Sequence, residues 1–92
     1  MTPKQILIND LRRELRWAYK DQSVANIVRF AMDVSRLWSE GDEYVVRVHG
    51  AAWKYIYCLI DVQNNVNDET MRSVQIRARQ LTDSLRTWEE AK

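Results

Sequence analysis

Between Met71 and Trp88 the apolar positions fall at Met71, Val74, Ala78, Leu81, Leu85 and Trp88, alternately three and four residues apart. That spacing holds one apolar line along a helix for about five turns and matches a heptad, with Met71, Ala78 and Leu85 at one seam position and Val74, Leu81 and Trp88 at the other. A strand, whose faces alternate every second residue, cannot produce it. The seam needs a cover: either the other helices of the same chain or the matching seam of a second copy in a homodimer.

The rest of the chain reads the same way. Thr2, Pro3 and Gln5 form a helix start, with Thr2 as N-cap, Pro3 at the first helical position, Gln5 placed to complete a capping box, and Met1 and Ile6 spaced as a hydrophobic staple. Ile8, Leu11, Leu15 and Ala18 then give an apolar stripe, and the spacing predicts a first helix over 3–20. Across Lys20–Ser23 the apolar phase jumps, which a turn capped by Ser23 or a bend in one long helix would both explain. The second stripe, Val24, Ile27 or Val28, Ala31, Val34 and Trp38, predicts a helix over 23–40, with Arg29/Asp33 and Arg36/Glu40 at pairing distance and Gly41 as its stop.

Tyr44–Val48 is rich in strand-forming residues, so a short strand competes with helix there. Val45, Val48, Ala52, Tyr55, Leu59, Val62 and Val66 nevertheless keep helical spacing throughout, and Trp53, Ile56 and Ile60 widen the apolar side. A third helix over 42–66, the most enclosed of the set, is the stronger expectation. Asn67 or Asp68 caps a fourth over 68–90, whose last turn should fray because Glu89 and Glu90 oppose the helix dipole. The fold expected is all-α: one domain spanning residues 1–92, an antiparallel bundle of about four helices.

Composition supports this outline. Two Gly and one Pro leave little material for turns. The net charge of +1 is far from that of a dedicated nucleic-acid binder, although residues 1–20 hold five basic against two acidic groups. Ten of the fourteen cations are Arg, the residue suited to planar and bidentate contacts. A single cysteine, Cys58, cannot form an intrachain disulfide, and no signal-peptide pattern precedes the first helix, so a cytoplasmic location is expected. No apolar run approaches the roughly 20 residues of a membrane span.

Chemistry has little to stand on. His49 and Cys58 lie nine residues apart, about half a turn around a helix, so they cannot act as a dyad. Metal-ligand spacings and glycine-rich phosphate loops are missing, which predicts no enzyme, no metal and no cofactor. His49 reads as a partly buried structural residue and Cys58 as a small core side chain. A helix-turn-helix reading of 22–41 fails because Arg29 stands where the turn glycine belongs.

Binding surfaces remain. Arg47, Gly50, Lys54 and Tyr57 share the outer face of the third helix, where a bare glycine among hot-spot residue types suits a protein partner. Arg12, Arg13, Arg16, Trp17 and Lys20 form a basic face with an interleaved aromatic, suited to an acidic protein or to nucleic acid. Arg72, Arg79 and Arg86 line the flank of the seam. Four Trp are more than so small a core easily encloses. The function expected is a non-enzymatic protein-interaction module, an adaptor or inhibitor of the kind phages and mobile elements encode. Nucleic-acid binding through the first helix is the alternative.

Overall fold

The computed structural model describes residues 1–38 and 41–91 and contains four helices: α1 (Pro3–Leu15), α2 (Val24–Arg36), α3 (Glu43–Asn64) and α4 (Asp68–Glu90), with a 3₁₀ turn at Tyr19–Asp21. They pack in cyclic order as an antiparallel bundle, α1 against α2 and α4, and α3 against α2 and α4. Tyr44–Val48 is helical, so side-chain period outweighs local strand preference. Each start has its cap: Thr2 accepts from the Gln5 amide, Ser23 from Asn26, Asp42 from Tyr44 and Val45, and Asn67 from Thr70 in a full capping box. At the first of these no box closes, because the Gln5 side chain turns to Asn9 and Glu89, and the expected staple leaves both Met1 and Ile6 exposed.

Helix α1 stops five residues short of the expected end, and a turn, not a bend, separates it from α2. Ala18 is extended at φ −58°, ψ 149°. The break is held by side chains: Gln22 Nε2 donates to the Trp17 carbonyl at 2.9 Å, and the Glu14 carboxylate accepts from the Ser23 amide and from Asn26 Nδ2. Tyr19 is thereby turned in against the core. Helix α2 ends at Arg36, where Asp33 pairs with Arg36 at 3.3 Å; the expected last turn and the Arg36/Glu40 pair involve residues 39–40, which lie outside the described residues. Gly41 sits in the left-handed region at φ 89°. Helix α3 closes at Asn64, which leaves Val66, the last member of its stripe, 75% exposed.

The core takes Ile8 and Leu11 from α1, Ile27, Phe30, Ala31 and Val34 from α2, the Val45-to-Val62 stripe of α3, and Val74, Leu81, Leu85 and Trp88 of α4. The seam of α4 is therefore spent inside its own chain, with Ala78 partly buried and Met71 exposed beyond its end. As a surface for homodimerisation it is not available. Helix α4 is formed through Glu90, and Lys4 Nζ donates to the carbonyls of Trp88 and Ala91 at 2.9 and 3.0 Å, placing a cation at the negative helix end that offsets Glu89 and Glu90. Glu89 finds compensation in Gln5 and Arg12, each at 2.9 Å, and these bonds hold its carboxyl below the usual glutamate range.

A polar joint is buried at Tyr55 and Gln22 and reaches the surface at Gln63. The hydroxyl of fully buried Tyr55 donates to Gln22 Oε1, and Gln63 Nε2 donates to the carbonyls of Tyr19 and Gln22 at 2.9 and 3.2 Å. Helix α3 is thus fastened to the connection between α1 and α2. Burial pushes the Tyr55 phenol well above its ordinary range.

Candidate interaction surface

Helix α3 buries one stripe and displays another. On the side away from the core, Val46, Gly50, Trp53, Tyr57 and Ile60 recur at four, three, four and three residues, the same heptad step as the α4 seam. Val46 is 42% exposed, Ile60 40% and Tyr57 68%, while Trp53 packs partly against the core. No heavy atom beyond Gly50's own surroundings lies within 4 Å of where its Cβ would be, so the middle of this stripe is an open hollow. Trp53 widens the core side in part, as expected, whereas Ile60 does not.

An aromatic row runs along the edge facing α2. Trp38 meets His49 edge-on with ring centroids 5.8 Å apart, His49 meets Trp53 at 6.4 Å, and Trp53 meets Tyr57 at 6.2 Å. Trp53 Nε1 donates to His49 Nε2 at 3.1 Å, which satisfies the indole and fixes the row's orientation. His49, partly buried, is here an orienting acceptor. The opposite edge of the stripe borders a groove of about 390 Å³ between α3 and α4, lined by Arg47, Gly50, Ala51, Lys54, Arg77 and Gln80 among others.

The four residues singled out on α3 are therefore neighbours with different surroundings: Arg47, Gly50 and Lys54 line the groove toward α4, and Tyr57 ends the aromatic row. Trp38, Val46, Trp53 and Ile60 belong with them. The spacing of the last three with Gly50 and Tyr57 could have revealed the stripe from sequence; the approach of Trp38 could not.

The basic residues of α1 do not form one face. Arg12 is drawn to Glu89 of α4 and Arg13 lies 3.8 Å from Asp10; Arg16, the C-cap, keeps helical backbone angles, whereas Ala18 turns extended and Lys20 beyond it loses the helical register. Trp17, 59% exposed, borders a groove between α1 and α2 beside Asp10, Glu14, Arg29 and Asp33, while Lys20 borders an apolar hollow with Val66 and Met71. In the flanking line on α4, Arg86 is paired with Asp83 at 2.9 Å and shares a shallow groove with Arg79 and Tyr19, and Arg72 is exposed.

Cys58 is a free thiol packed against the core. Among the described residues no three His, Cys, Asp or Glu side chains converge as metal ligands, and no helix is long and apolar enough to cross a membrane. Comparison with protein-family models, with curated proteins and with solved structures finds no match to this chain.

Proposed function

We propose that this chain is a non-enzymatic protein-interaction module, an adaptor or inhibitor acting in the cytoplasm, that docks its partner on the outer stripe of α3. One observation carries the reading: a helix that already buries Val45 to Val62 on one side displays Val46, Tyr57 and Ile60 on the other, with half-buried Trp53 among them, around an open glycine. Exposed apolar surface that is contiguous and aromatic-rich is characteristic of contact sites, and Trp, Tyr and Arg dominate binding energy where they occur together. Nucleic-acid binding through α1 has less to rest on, since Arg12 is engaged by Glu89 and Lys20 lies past the helix end.

The test is affinity capture from the native host's lysate with the wild-type chain and with Tyr57→Ala/Ile60→Ser, each with and without nuclease. Both side chains are surface residues, so their replacement should shift stability by only about 0.5 kcal/mol each. A protein that survives nuclease and disappears with the variant, at nearly unchanged thermal midpoint, is the expected result. Capture that is identical with the variant, or that depends on nucleic acid, would overturn the reading.

A further inference from the structure

Three features of the α3 stripe specify its occupant, given that the stripe is the docking surface. Its step of four and three residues suits a second helix laid along it, since only a helix repeats its contacts with that period. Gly50 stands between Val46 and Trp53 along the stripe with nothing within 4 Å of where its Cβ would be, so a partner's side chain can approach the backbone there. The third feature is charge. Arg47 and Lys54 of α3 and Arg77 of α4 line one groove along the edge of the stripe. None of the three makes an ion pair among the described residues, whereas Arg12, Arg36 and Arg86 each have a carboxylate within 4 Å. Arg77 reaches only Gln80, at 2.9 Å.

A second copy of the chain fits this edge badly. Laid antiparallel with Gly50 of each copy receiving Trp53 of the other, two α3 helices would bring Arg47 near Lys54 and Glu43 near Asp61, like charge against like. We infer that the stripe receives an amphipathic α-helix of a different protein, whose acidic edge lies over Arg47, Lys54 and Arg77. Arg47 and Lys54 are seven residues apart, about 10.5 Å along the axis, so carboxylates one heptad apart on the partner would meet both.

The probes are two synthetic peptides of about four heptads, both with Leu at the seam positions, one with Glu and one with Lys at every flanking position. Like charges keep each peptide from pairing with itself. Binding is followed by amide chemical shifts of the full chain, with sedimentation of the chain alone as a companion measurement. The Glu-flanked peptide should shift the α3 amides from Val46 to Ile60 and bind about tenfold more tightly at low salt than the Lys-flanked one, three modest ion pairs together being worth that ratio. Arg47→Glu/Lys54→Glu, which alters two exposed side chains, should reverse the preference. Equal binding of both peptides, binding of neither, shifts confined to other helices, or a dimer of the chain that Tyr57→Ala dissolves would each overturn the inference. If neither peptide binds while Tyr57→Ala/Ile60→Ser still abolishes capture of the host protein, the helical occupant is wrong and the docking surface stands. If capture is unaffected as well, both fall.

Discussion

Replacing Gln22 by alanine removes the one acceptor of the Tyr55 hydroxyl and the donor to the Trp17 carbonyl in a single step. Tyr55 is fully buried and Gln22 is 4% exposed, so water cannot take over either role without opening the bundle. A buried hydroxyl left without a partner costs about 1–3 kcal/mol, and the carbonyl at the end of α1 adds a smaller amount because it lies nearer the surface. Taking about 2 kcal/mol as the centre, and about 4–8 °C per kcal/mol for a domain of this size, the thermal midpoint should fall by roughly 8–16 °C. Tyr55→Phe should cost less, since it deletes the donor and keeps the ring in place. The double variant Gln22→Ala/Tyr55→Phe should be more stable than the sum of the two single losses implies, by about 0.5–3 kcal/mol, because the second change removes a group the first had orphaned. Urea melts followed by far-ultraviolet circular dichroism at neutral pH measure all three. Strict additivity, or a loss below about 0.5 kcal/mol for Gln22→Ala, would refute the claim that this bond joins α3 to the α1–α2 connection. The same joint has an alkaline signature: the folded phenol titrates above its unfolded value of about 10, so its contribution is complete below that pH and is lost as pH rises further.

Two further predictions are independent of the joint. Glu89 titrates lower in the folded chain than in the unfolded one, so its stabilisation is complete above the ordinary glutamate range and is lost as pH falls through the folded value; Glu89→Gln should flatten that acid limb in melts taken across it. Gly50→Ala meets nothing within 4 Å and relieves a glycine in a helix interior, so the thermal midpoint should rise by several degrees, for about 0.8–1 kcal/mol. On the docking reading, the same substitution narrows the hollow and weakens peptide binding, which separates stability from recognition.

Much of this architecture is legible in the residue order. The buried faces of all four helices follow from their spacing, and Thr2, Ser23, Asp42 and Asn67 announce the starts because their side chains can satisfy amides no helix turn reaches. The ends are less legible, since they depend on distant partners: α1 stops where Gln22 and Glu14 seize the connection, and α4 is formed through Glu90, where Lys4 arrives from the other end of the chain. Periodicity also says which residues share a face without saying how many neighbours cover it. On α3 a second heptad stripe, at Val46, Gly50, Trp53, Tyr57 and Ile60, reads equally well as extra core, and only the positions of α2 and α4 leave it outside. Lys20 shows the converse, for it aligns with the arginines of α1 only on a helix longer than the one that forms.

The meeting of Lys4 with Trp88 and Ala91 makes the chain nearly a closed ring. Successive helices, α1 and α2 included, meet across short connections, but α1 reaches α4 only after more than eighty residues have been gathered in. Closing that last side has the greatest chain entropy to overcome, and α1 is only 13 residues long. The α1–α4 side is therefore the one with the longest loop to close, and Lys4 is the latch that holds it.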